Sequence, residues 1–76
     1  MTNIKFVWEF FGPDSKNLSI HHLAHLKEFL AFEKIKSFDS SFSVESVNFS
    51  YSYIVVQSKY LDNIKLKLKP HKAFKA

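Results

Sequence analysis

Three of the four histidines fall within five positions, in the stretch SIHHLAHLKEF at residues 19–29. His21 and His25 are four apart and Glu28 follows three later, so on a helix all three share one face. Two imidazoles and a carboxylate are a donor set for Zn²⁺ or another divalent ion. The pattern departs from the HExxH metal motif, because none of His22, Leu23 and Ala24 between the two histidines is a glutamate. A complete site would need a further ligand, with Glu9 or His71 as candidates. Two plainer readings compete: a helix face with solvated or interface histidines, and a contact that titrates near the histidine pKa. His22 falls among Leu18, Leu26 and Phe29, which marks it as a structural residue.

The second group able to do chemistry is aromatic. Nine Phe, three Tyr and one Trp stand in a chain of 76 residues. On the two central strands of a small sheet, such side chains stack nucleic-acid bases, and Phe6, Trp8 and Phe10 with Phe49, Tyr51 and Tyr53 are the candidates. The third-strand consensus of RNA-recognition modules is missing from NFSYSYIVV, which has no Gly and no leading basic residue. Used differently, the same aromatics would fill a core or meet another subunit.

Other chemistries find no support. There is no Cys and no GxSxG, the serines have no paired base, and a single Gly cannot build a phosphate loop. The carboxylates follow no motif. A non-enzymatic protein without a cofactor is therefore expected.

Residues 1–76 make one domain, since a chain this short has no room for a second core. A chain of this size buries only about 60% of its unfolded surface, so apolar area is left over, and surplus apolar surface marks a partner or ligand. The net charge of +4 is uneven. Residues 59–76 hold six Lys and one acid, whereas the first 58 residues hold five Lys and six acids. The absence of Arg counts against dedicated base recognition, which favours the bidentate guanidinium. No stretch approaches the ~20 apolar residues of a membrane span. The N-terminal run is broken by Glu9 and closed by GPD, too early for a signal peptide. A soluble, cytoplasmic protein without a membrane partner is the expectation.

These groups need a scaffold. IKFVWEFF (4–11) is β-branched and aromatic, with Ile4, Phe6, Trp8 and Phe10 on one face and Lys5, Val7, Glu9 and Phe11 on the other. GPD turns the chain, with Asp14 or Ser15 as a helix cap. Residues 17–35 predict a helix, with Leu23, Leu26 and Leu30 in one stripe and Leu18, His22, His25, Phe29 and Phe32 in a second. So small a polar face predicts packing on two surfaces, one of them a second subunit. Phe42 and Val44 mark a strand, residues 46–48 a turn, and FSYSYIVV a strand with Phe49, Tyr51, Tyr53 and Val55 on one side.

In residues 58–70, Ile64, Leu66 and Leu68 alternate with lysines as in a strand. Residue propensity favours a helix capped by Ser58 and stopped by Pro70. HKAFKA supplies a last edge strand. The order βαββαβ predicts a ferredoxin-like α+β sandwich: an antiparallel sheet with two helices on one face.

The segments WEFFGPD, HHLAHLKEFL and LKPHKAF resemble small bacterial proteins of ferredoxin-like type without an assigned function. That resemblance implies the fold and adds no activity. The expected role is a binding or regulatory domain that forms a homodimer through an aromatic sheet face or the first helix. Trp8, Phe10, His21, His25, Phe32, Tyr51 and Tyr53 are the expected surface residues. Nucleic-acid binding, and metal binding by His21, His25 and Glu28, are the alternatives.

Overall fold

The computed structural model describes residues 2–76. The chain runs through β1 (Asn3–Phe11), α1 (Ser15–Phe32), β2 (Asp39–Ser46), β3 (Phe49–Gln57), a 3-10 turn (Ser58–Tyr60), α2 (Leu61–Leu68) and β4 (Lys72–Lys75). The strands form one antiparallel sheet in the order β2-β3-β1-β4. With its two helices this is the ferredoxin-like βαββαβ arrangement.

Local chemistry sets the boundaries. Gly12 adopts φ 104°, which costs a residue without Cβ little, and its N–H donates to the Asn48 carbonyl at 2.8 Å. The β1–α1 turn is thereby tied to the β2–β3 hairpin. Asp14 is the N-cap of α1, but its side chain makes no capping bond.

The far end of α1 stops three residues before the predicted Ile35. Lys34 turns left-handed at φ 57°, its N–H reaching Ala31 O at 3.2 Å and that of Ile35 reaching Leu30 O at 2.8 Å. These are the two bonds of a Schellman closure, with Lys where Gly is usual. The turn returns Ile35 to the core, at 6% exposure.

Residues 61–68 are helical, as propensity indicated. Only Ile64 is fully buried, and Leu66 is 76% exposed, whereas a strand would have put both on one face. Ser58 is not the cap; it opens the 3-10 turn and its N–H donates to Thr2 O. Trp8 Nε1 donates to Leu68 O at 2.9 Å, fastening the end of α2 above β1. Along α2, one turn apart, Asn63 and Lys67 both donate to Glu33 Oε1, at 3.3 and 3.1 Å. The bond from Lys67, then that from Asn63, holds the Glu33 carboxyl below its ordinary pKa.

The core joins Phe6, Trp8, Ile54 and Val56 of the sheet to Leu23, Leu26 and Leu30 of α1 and Ile64 of α2. Both helices therefore cover the same face. Near the N-terminus of α1 the layer between them changes character. Ser15, Ser19, Ser50 and Ser52 are all buried there, with Ser15 Oγ 3.2 Å from Ser50 Oγ and Ser19 Oγ donating to Lys16 O. Small, hydrogen-bonded side chains let the helix lie close to the strand without leaving a polar group unpaired. Among the described residues no helix is long and apolar enough to cross a membrane.

Candidate functional site

The register decides which aromatics are available. β1 and β3 pair as Ile4↔Val56, Phe6↔Ile54, Trp8↔Ser52 and Phe10↔Ser50, and these residues face the helices. The alternate set, Lys5↔Val55, Val7↔Tyr53, Glu9↔Tyr51 and Phe11↔Phe49, forms the uncovered face. The two aromatic sets expected to act together thus lie on opposite sides of the sheet.

Trp8 and Phe10 are corrected accordingly. Trp8 is 3% exposed and belongs to the core, its indole N–H spent on Leu68. Phe10 is half-buried and packs against that core, beside His22. The β1 face with four apolar residues is the one that the helices cover, and the face carrying Lys5 and Glu9 is the open one.

On the open face the aromatics of β3 form a continuous row. Phe49 and Tyr51 lie 6.2 Å apart between ring centroids, and Tyr51 and Tyr53 lie 6.1 Å apart. Phe11 extends the row from β1, stacked on Phe49 at 5.0 Å and 15°. Lys5 Nζ stands 4.4 Å from the Tyr53 ring centroid and 5.8 Å from that of Tyr51, within cation–π range. At the β2 edge Tyr53 Oη donates to Asp39 Oδ2 at 3.3 Å. Burial, then the Asp39 charge, pushes the Tyr53 hydroxyl above its ordinary pKa, so it remains a donor. At the β4 edge Lys72 pairs with Glu9 at 3.2 Å.

Charge on this face is balanced, with Lys5 and Lys72 against Glu9 and Asp39. The surplus lysines Lys59, Lys65, Lys67 and Lys69 lie on the 3-10 turn and α2 and at its end, on the other side of the sheet. The surface is open, and no pocket forms among the described residues. Phe11, Lys5 and Phe74 (51% exposed, opposite Lys5 on β4) are members of the face that sequence reasoning passed over. The alternation of β1 had placed Phe11 and Lys5 there; the signal lay in that face being the more polar of the two.

Three of the four histidines lie on the other layer, on α1. His22 sits between Trp8 and Phe10, with ring centroids 5.2 and 5.4 Å away, and its Nδ1 is 3.2 Å from Ser52 Oγ. Burial lowers its pKa below 6.5, and the charges of His25, His71 and His21 lower it further. His21 and His25 are exposed, with Nε2 atoms 3.0 Å apart. Glu28 does not converge with them. Its Oε2 lies 3.8 Å from Nδ1 of His25, the ring nitrogen that does not face His21. Among the described residues no three His, Cys, Asp or Glu side chains are grouped to hold a metal ion. His71, the suggested further ligand, instead accepts the Glu9 N–H on Nδ1 at 2.8 Å.

The second stripe of α1 is divided in the same way. His22 and Phe29 turn towards the core, whereas Leu18 is 47% and Phe32 83% exposed. Phe32 closes the helix at its far end. The stripe therefore offers separated apolar residues where the open sheet face offers contiguous ones. No family model, curated protein or solved structure matches this chain.

Proposed function

We propose that this protein is a non-enzymatic binding domain that self-associates through the open face of its sheet. The observation that carries the reading is the unbroken row Phe11–Phe49–Tyr51–Tyr53 on a face that no helix covers. Aromatic side chains of this kind are enriched in protein interfaces, where charged residues thin out towards the centre. The balanced charges favour a second copy over a polyanion. A two-fold contact sets a surface against itself, so Lys5 and Lys72 of one copy can meet Glu9 and Asp39 of the other.

Sedimentation over a range of concentrations tests this. A dimer that the double substitution Tyr51→Ser with Tyr53→Ser converts to monomer is the expected result. A wild-type chain that stays monomeric at every concentration overturns it.

One observation favours a second reading, the stacking of single-stranded RNA. Tyr51-Ser52-Tyr53-Ile54 keeps the aromatic–small–aromatic–aliphatic alternation of base-stacking third strands, with Ser for Gly or Ala, and Lys5 lies over both tyrosines. Tyrosine fluorescence and anisotropy with mixed single-stranded RNA separate the two readings, because only the second predicts salt-sensitive binding.

A further inference from the structure

His21 and His25 take no part in the sheet-face reading, and their geometry differs from that of an ordinary pair of solvated histidines. They project from one face of α1, and their Nε2 atoms approach to 3.0 Å. Two nitrogens bound to one ion at about 2.0–2.1 Å with a right angle between them stand about 2.9 Å apart. The spacing therefore already suits cis positions around a tetragonal centre, the geometry preferred by Cu²⁺ and Ni²⁺. The ring centroids are only 4.5 Å apart and the planes cross at 79°. A straight N–H···N bond would hold the centroids further apart. The rings are thus bent off the line joining their nitrogens, and an ion bound to both nitrogens would take the place of the contact they make with each other.

We propose that His21 and His25 form a two-nitrogen clamp for a single late divalent ion, Cu²⁺ before Ni²⁺ before Zn²⁺. Water completes the coordination, since Glu28 stands behind His25. Its carboxylate, 3.8 Å from Nδ1, is placed to orient that ring, as carboxylates behind metal-bound imidazoles do. Glu28 is a positioning residue here, and the earlier grouping of all three as ligands is replaced by two ligands and one support. The two helical positions cost nothing to occupy: four-residue spacing is built into the helix, and α1 is held against the sheet by Leu23, Leu26 and Leu30 on its other side.

The test is a Cu²⁺ titration of the untagged full chain, followed by calorimetry and by the electron paramagnetic resonance of the bound ion. One ion per chain with nitrogen ligation is expected. His21→Ala and His25→Ala should each lower the affinity at least tenfold, and the double variant should be no worse than either single one, because losing one arm abolishes the chelate. Ala is the best helix former, so these exposed substitutions leave α1 intact. Glu28→Gln should weaken binding a few-fold without changing the ligand set. His71→Ala should leave the titration unchanged. Binding in His21→Ala as tight as in the unaltered chain, or no saturable binding up to millimolar Cu²⁺ in the latter, overturns the proposal.

Discussion

The two faces of one strand follow opposite rules. β3 buries Ser50 and Ser52 and leaves Phe49, Tyr51 and Tyr53 half in solvent. Two residues further on, Ile54 and Val56 are fully buried in the usual way. Hydrophobicity alone would set the first half of the strand the other way round. The register forbids it, because β3 must deliver Ile54 opposite Phe6 and a one-residue slip would exchange every side chain between the faces. The serines then become useful: they meet Ser15 and His22 of α1 where a larger side chain would hold the helix off the sheet. The aromatic row is left on the side with no helix. Where a strand places its bulk on the uncovered face, that face is the one to suspect of binding.

Substitutions that treat the two faces alike should therefore give different answers. The largest stability effect belongs to the covered face. Ile54→Ala should cost about 2–5 kcal/mol in denaturant unfolding, whereas Tyr51→Ser should cost about 1 kcal/mol or less and act on association instead. Equal losses from both would abolish the distinction drawn between the faces.

Next in size is the small-residue seam. Ser52→Val adds the apolar bulk that a strand normally buries, yet it should destabilise by about 1–3 kcal/mol because His22 already occupies the space. A more stable Ser52→Val variant would show that the seam is loosely packed.

A pH effect follows from the same contact. The folded state holds the His22 pKa below 6.5, so the unfolded chain binds its proton more readily. Stability from this group is present above pH 6.5 and is lost as the pH falls through that value towards the folded-state pKa. The denaturant midpoint should fall between about pH 7.5 and about pH 5, and His22→Gln should flatten that part of the profile. A midpoint that rises on acidification would contradict the burial of this ring.

The smallest effect is on the open face. Lys5→Met removes the cation over Tyr51 and Tyr53 and should cost about 0.5–1 kcal/mol, read from the same unfolding curves. A larger loss would mean that Lys5 holds the tyrosines in place more firmly than two exposed contacts allow.

Much of this architecture was written in the chain. The alternation in IKFVWEFF and FSYSYIVV, the glycine-proline turn and the helix-forming run of residues 17–35 are local preferences, and each acts within a few residues of its cause. With the Phe42–Val44 and HKAFKA strand signals and the helix propensity of residues 58–70, they determined four strands, two helices and their order. The spacing of His21 and His25 was equally legible, because a helix converts a separation of four into a neighbourhood.

The side of the sheet that stays open is a different kind of fact. It depends on pairing between Phe6 and Ile54, residues 48 positions apart (54 minus 6), and on two helices choosing the same face. Trp8 looked as suitable for a surface as Tyr53 did until the register put it under α2, with its N–H bound to Leu68. The separation of Glu28 from the histidine pair is also tertiary in character: sequence spacing gave a shared helix face, but ring orientation turned the wrong nitrogen towards the carboxylate. Local periodicity determined what each element could present; the packing of elements against one another decided which half of each is spent on the core and which remains free to bind.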